Sequence, residues 1–115
     1  MRTSNKSTKL PAKCCDNPVA AVLAGMPAEE LVMRQTTFLK ALADPARIRI
    51  VYALKTRELC ACELMALLEM PQTMVSHHCK ILKIAGIVTD RKSGKWVHYS
   101  LAARRVVDVL ELLER

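Results

Sequence analysis

The sequence predicts a mainly helical (α+β) domain, and three observations carry that prediction. Apolar residues recur at three- and four-residue spacing over most of the chain up to Gly86. Two of these helical segments are separated only by Met70-Pro71. From Ile87 to Leu101 the period falls to two. The chain of 115 residues has room for one compact domain, 18–115, behind a basic, aperiodic and flexible segment, 1–17, that carries a cysteine pair. With 51% hydrophobic residues a core is sustainable, which excludes wholesale disorder.

No apolar run is long enough to span a bilayer, so no membrane partner is expected. The N-terminal stretch MRTSNKSTKLPAK has charge but no apolar h-region, so it is not a secretory signal and a cytoplasmic location is expected. A net charge of +7 permits a polyanionic partner, of which nucleic acid is the common one. The five cysteines are an odd count in a small domain, which argues against a disulfide framework. Thiols kept reduced are free to hold a soft metal ion. Two spacings make this more than a count: the vicinal Cys14-Cys15, and Cys60-Ala61-Cys62.

In chain order, Asp16-Asn17-Pro18 reads as a cap with proline at the first helical position, opening a short helix to Ala24 that stops at Gly25. Met26-Pro27 opens the next, with Glu29 and Glu30 in the first turn, where the helix dipole favours acids. Its apolar positions are Leu31, Phe38, Leu39 and Leu42. Asp44-Pro45 repeats the cap signature, and ARIRIVYALK follows with Ile48, Val51 and Tyr52 at i, i+3 and i+4. Thr56–Glu69 is the fourth helical pattern, turning Leu64, Leu67 and Leu68 inward.

The fifth segment, Met70 to Gly86, separates cleanly on a wheel of about 100° per residue. Met74, Val75, His78, Cys79, Ile81, Leu82 and Ala85 share a packing arc. Gln72, Thr73, Ser76, His77, Lys80 and Lys83 fall mostly opposite, with no carboxylate among them. Amides, hydroxyls, an imidazole and ammonium groups can contact base edges and phosphates. Pro71 suits a first turn and Gly86 a left-handed helix end. A solvated amphipathic helix would normally mix acids among its lysines. Two helices joined by so short a turn, the second basic, form a helix-turn-helix whose second helix reads DNA.

Ile87–Lys92, a turn at Ser93-Gly94, and Lys95–Leu101 form a hairpin with Arg91, Lys92 and Lys95 around its tip. A basic hairpin directly after a helix-turn-helix is a wing, suited to lie along phosphates. The whole is a winged helix-turn-helix. Ala102–Arg115 is a last helix whose arc Val106, Val107, Val109, Leu110 and Leu113 calls for cover, by its own N-terminal helices or by a second subunit. Terminal helices that dimerise are therefore expected.

The segments LADPARIRIVYAL, ELCACEL, SHHCKILKIAGIV and RKSGKWVHYSL, in that order, resemble the ArsR/SmtB family of metal-responsive winged-helix repressors, over nearly all the chain from about Val32. The resemblance implies a homodimer that binds an operator palindrome when metal-free and releases it when metal binds. DNA binding would require no cofactor. Within the family, ELCACEL is similar to the Cys-x-Cys box of the arsenic, cadmium and lead sensors. The arsenic type often carries a third cysteine one turn later, where this chain has Met65. The cadmium and lead type draws further thiolates from an N-terminal segment, a part that Cys14 and Cys15 can supply, although they are adjacent rather than separated. With no His or Cys after His98, the last-helix zinc site of some members is not expected. The resemblance thus ranks cadmium and lead first as inducers and arsenite second, with zinc a further candidate.

Residue by residue, Cys14, Cys15, Cys60 and Cys62 are the candidate metal ligands. Cys60 and Cys62 would lie about 200° apart on one regular helix, so both reach one ion only if the helix begins between them or frays. Cys62 near a helix N-terminus would have its thiolate stabilised by the dipole. Cys79 and His78 read as packing residues. Gln72, Thr73, Ser76, His77, Lys80, Lys83, Arg91, Lys92 and Lys95 are the candidate DNA contacts. The alternative to metal sensing is a thiol redox switch on the same DNA-binding repressor. An enzyme built on Ser76-His77 is rejected, because neighbours on a helix do not face each other and no acid or glycine elbow supports them. A metal carrier that binds no DNA leaves the basic helix and hairpin unexplained.

Overall fold

The computed structural model describes residues 19–114. Six helices and a three-stranded antiparallel sheet follow in the order α1 (Ala20–Ala24), α2 (Glu29–Leu42), α3 (Pro45–Thr56), β1 (Leu59–Cys60), α4 (Ala61–Leu68), α5 (Gln72–Ile84), β2 (Val88–Ser93), β3 (Trp96–Leu101) and α6 (Arg105–Leu112). The strands stand in the order β1-β3-β2. This is a winged helix-turn-helix, as the sequence predicts.

The local signals for helix ends act as their chemistry requires. Asp44 caps α3, its Oδ2 accepting from the backbone N–H of Ala46 at 2.9 Å and of Arg47 at 3.2 Å, with Pro45 at the first position. The C-terminus of α5 closes in a Schellman motif: Ile87 N–H donates to the Leu82 carbonyl and Gly86 N–H to that of Lys83, both at 2.9 Å. Gly86 takes the left-handed φ of 78° that this ending needs. The expected start of the first helix, Asp16-Asn17-Pro18, lies outside the described residues.

Four expectations are corrected. The segment Thr56–Glu69 is not one helix: it turns extended at Arg57, forms β1, and becomes helical only at Ala61. Leu59 pairs with Tyr99 and Cys60 with His98, so pairing with β3 overrides the helical spacing. The hairpin turn is Gly94-Lys95, one residue later than expected, with Ser93 opposite Trp96 and the left-handed residue Gly94 first in the turn. In α3 the buried positions are Ala46, Ile50, Val51 and Leu54, while Tyr52 is exposed. Only Leu64 of the expected α4 face is fully buried, and Leu67 is exposed.

The core joins every layer. Ile50 and Val51 of α3, Leu64 of α4, Val75 and Leu82 of α5, Val88 of β2 and Val106 and Val107 of α6 are all essentially inaccessible. Fully burying side chains of this kind is worth about 1.5–3 kcal/mol each. The last helix therefore finds much of its cover within the chain: Val106, Val107 and Leu110 are buried, and Leu113 is not. Exposed apolar side chains concentrate instead on α1 and α2, at Val22, Leu23, Leu31, Met33 and Leu39, and at the end of α6. No described helix is long and apolar enough to cross a membrane.

Candidate nucleic-acid interface and metal centre

Helix α5 is anchored from below. Val75, His78, Cys79 and Leu82 are buried, which turns Gln72, Thr73, Ser76, His77, Lys80 and Lys83 outward. Met74, placed on the packing arc by its spacing, is exposed, as is Ile84. Beneath the helix, Arg47 ties three elements together. Its Nε donates to the Ala41 carbonyl at the end of α2 at 2.6 Å, and its Nη1 lies 3.1 Å from His78 Nδ1. A guanidinium can only donate, so Nδ1 accepts in this contact. Asp44 Oδ2 stands 4.0 Å from the same nitrogen. Burial acts to raise the Asp44 carboxyl, but the Arg47 N–H, the Arg47 charge and the Ala46 N–H together hold it below the usual carboxylate range.

On the wing, Arg91, Lys92 and Lys95 are exposed, and so is Trp96 beside the turn, 5.8 Å from Lys95 Nζ to ring centroid. Trp96 was not among the expected site residues, although an exposed aromatic directly after the basic turn residue Lys95 offers a stacking face. Two of the expected phosphate contacts are already engaged. Lys83 Nζ lies 3.0 Å from Asp90 Oδ1. Arg91 donates from Nε and Nη2 to the two oxygens of Glu58 at 2.9 and 2.8 Å. The acids come from neighbouring elements, which a wheel of α5 alone does not reveal.

The cysteine box owes its geometry to the interrupted fourth helix. Cys60 is extended, ends β1 and caps α4, while Cys62 sits in the first helical turn. The switch from strand to helix between them brings the two Sγ atoms to 2.9 Å. Glu63 closes the cap from the other side, accepting from Cys60 N–H at 2.9 Å, and Arg57 donates to both its oxygens at 2.7 and 3.3 Å. These bonds from Arg57 and the Cys60 backbone hold the Glu63 carboxyl down at about 2. The Cys62 thiol is raised, first by its hydrogen bond to Cys60 and then by partial loss of solvation among its neighbours. The expected stabilisation of its thiolate by the helix dipole is thus outweighed by the neighbouring sulfur.

This donor pair fits one edge of a soft-metal site. Both side chains converge and Cys62 is exposed. Tetrahedral zinc at ~2.3 Å from each sulfur would set two sulfurs ~3.8 Å apart, so the pair must open slightly to chelate. Among the described residues no group of three or more His, Cys, Asp and Glu is arranged to hold a metal ion. Cys14 and Cys15 lie outside the described residues. Met65, one turn after Cys62, is half-buried against the core. Cys79 is buried, its thiol pushed up to about 12 chiefly by that burial and further by Asp90, which suits packing.

Residues 44–90, from the cap of α3 into β2, match the family described as bacterial regulatory protein, arsR family. The HTH-type transcriptional repressor SmtB of Mycobacterium tuberculosis is 42% identical over 84 residues, covering 73% of this chain and 62% of that one. A transcriptional repressor SmtB homolog of Synechocystis is 35% identical over 101 residues, covering 83% and 76%. A cadmium resistance transcriptional regulatory protein CadC homolog of Staphylococcus aureus is 41% identical over 73 residues, covering 63% and 60%. The chain thus spans about three fifths of the length of the mycobacterial and staphylococcal relatives. Among solved structures, the homodimeric winged helix-turn-helix DNA-binding domain of a possible ArsR-family regulator from Mycobacterium bovis superposes with a TM-score of 0.69 at 26% identity, over 79% of this chain and 86% of that one. Fold, matched segment and relatives agree: the chain belongs to the arsR family of bacterial regulatory proteins.

Proposed function

We propose that this protein is a transcriptional repressor that binds operator DNA as a homodimer and lets go when a thiophilic metal ion binds its cysteine box. The observation that carries the reading is the convergence of Cys60 and Cys62 on the cap of α4, the first helix of the helix-turn-helix. A soft ion bridging two thiolates there would be held by the residues that set where α4 starts. Cadmium and lead come first as inducers, arsenite second, and zinc remains a candidate. Cys14 and Cys15 are the proposed further ligands, because the box supplies two sulfurs and such ions take three or four.

In the DNA-bound state α5 lies in the major groove. Gln72, Thr73, Ser76 and His77, in its first half, face base edges, while Lys80, Lys83 and the wing's Arg91, Lys92 and Lys95 face phosphates. The exposed apolar side chains of α1, α2 and the end of α6 are the proposed dimer surface; the Mycobacterium bovis relative is homodimeric. An open groove of about 650 Å³ lined by Leu31, Gln35, Phe38, Leu39, Arg105 and Val109 belongs to this surface. Two half-sites one helical turn apart then fix the spacing of the recognition helices. A metal that favours another spacing weakens DNA by that differential affinity and by nothing else. The proposed location is the cytoplasm, where thiols stay reduced. No cofactor is required for DNA binding.

The short sulfur–sulfur approach also favours a second reading, in which oxidation of these thiols rather than a metal ends DNA binding. One experiment separates the two. Reduced protein on labelled operator duplex is titrated with cadmium, lead and arsenite while thiolate-to-metal absorption and DNA release are followed together. Metal sensing requires both signals to rise in step with all thiols still titratable afterwards. Release only under oxidant, with thiols lost, would replace it by the redox reading.

A further inference from the structure

The outer face of the sheet carries a row of side chains that connects the cysteine box to the wing. Cys60 is the cross-strand partner of His98, and His98 is that of Arg91. Directly paired residues project to one face, so these three stand side by side, opposite the buried Leu59–Tyr99 pair. Glu58, two residues before Cys60, shares that face and reaches over β3 to grip Arg91 with both carboxylate oxygens. Glu58 thus presents to Arg91 the planar, two-oxygen acceptor that a DNA phosphate presents.

We propose that Glu58 is an internal competitor for the phosphate that Arg91 contacts, and that the cysteine box acts on the wing through it. The proposal rests on the DNA-binding reading above and deepens it with a regulatory residue. In the free protein Arg91 belongs to Glu58. On DNA the guanidinium transfers to a phosphate and the carboxylate is left to solvent, so the carboxylate taxes every duplex alike, whatever its sequence. A metal ion on Cys60 and Cys62 fixes the β1 end from which Glu58 projects. It favours the gripped state and so weakens the arginine's transfer. Because Glu58 leads into β1 and Arg91 lies in β2, the coupling crosses one strand only.

The test is a double-mutant cycle on the reduced, metal-free full chain: wild type, Glu58→Gln, Arg91→Gln and the pair, each titrated against a fluorescent duplex of arbitrary sequence at low and high salt. Removing any acid strengthens DNA binding through net charge, so only the interaction between the two substitutions is diagnostic. Glu58→Gln should tighten binding by about three- to fivefold at low salt when Arg91 is present, the scale of an exposed ion pair, and by far less in the Arg91→Gln background. Equal tightening in both backgrounds would overturn the competitor role. In a cadmium arm, Glu58→Gln should keep the thiolate absorption of the wild type and lose part of its cadmium-driven release. Release as complete as in wild type would overturn the coupling. A wild type that binds no duplex removes the DNA reading and this proposal with it. A wild type that binds duplex but ignores cadmium removes the sensing reading and with it the coupling of the cysteine box to Glu58, while the cycle still decides the competitor role.

Discussion

Cys62 and Cys79 are thiols on consecutive helices, and both are harder to ionise than a free cysteine, for opposite reasons. Cys79 is raised chiefly because it is buried under α5, a condition no ligand changes. Cys62 is raised first by a neighbouring sulfur at 2.9 Å in the open. On the proposed reading a metal ion would remove that cause, since it takes the place of the thiol proton. The contrast teaches that a shifted thiol marks a site only when what shifts it can be displaced. On the proposed reading, the box in this helix-turn-helix opens to a metal ion, while the thiol under α5 stays shut.

The sharpest way to break the comparison is by substitution at the box. Cys60→Ser or Cys62→Ser should abolish metal-driven operator release while leaving metal-free DNA affinity and thermal unfolding close to wild type. If both variants still release the operator normally on titration, the sensing role of the box is wrong.

How far each region was legible in the sequence follows from the range of the interactions that shape it. The Asp44-Pro45 cap, the Gly86 ending and the packing of His78 and Cys79 are local or single-helix patterns, and they read directly from spacing. The start of α4 did not, because Leu59 and Cys60 leave helical periodicity for a pairing with Tyr99 and His98, nearly forty residues away. That same non-local pairing makes the box geometrically possible, so the spacing of Cys60 and Cys62 read alone looked unfavourable. The carboxylates on Lys83 and Arg91 were hidden likewise: Asp90 and Glu58 lie on other elements.

Salt dependence comes next in size and sharpens the account of α5 and the wing. If Lys80, Lys83, Arg91, Lys92 and Lys95 each reached one phosphate in both subunits, log affinity would fall with log salt at a slope of about −9. If Lys83 and Arg91 stay on their carboxylates, three cations per subunit remain, and the slope falls to about −5. Affinities measured over a range of salt distinguish these values. A slope near zero would remove phosphate contact by this face.

The pH dependence of metal binding tests whether the Cys62 thiol is protonated before the ion arrives. Its raised thiol is protonated at neutral pH, so the ion must displace a proton to bind. Apparent affinity should then rise with pH by about tenfold per unit for each proton displaced, until the thiol range is passed. A titration followed by thiolate absorption at several pH values reads the slope. A flat profile would mean that the box is already ionised, contrary to the direction found here.

On the closed side, Cys79→Ser should cost about 1–3 kcal/mol of unfolding free energy, because a hydroxyl replaces a weak donor where the side chain is inaccessible. The matching Cys62→Ser change, at an exposed position, should cost within about 0.5 kcal/mol. Denaturant midpoints of the two variants compare the regions directly. Equal costs would mean that burial does not separate them.

A further effect concerns the support under α5, and its sign is set by Asp44. Its carboxylate caps α3 through two backbone N–H bonds and stands beside the Arg47–His78 contact, so Asp44→Ala should cost about 1 kcal/mol at neutral pH. Burial would raise this carboxyl, but the N–H groups and the Arg47 charge win, and its folded pKa lies below the unfolded one. A depressed acid contributes stability that is complete above the unfolded pKa and is lost as pH falls through the folded value. The gap between wild type and Asp44→Ala should therefore stay constant from neutral pH down to the ordinary carboxylate range and narrow below it. Asp44→Asn, which keeps an acceptor oxygen for the cap but no charge, should lose less at neutral pH, and its gap to wild type should close in the same acid window. Urea unfolding at stepped pH reads both curves. A gap that widens as the pH falls would mean that the carboxyl is raised on folding, with burial outweighing the cap.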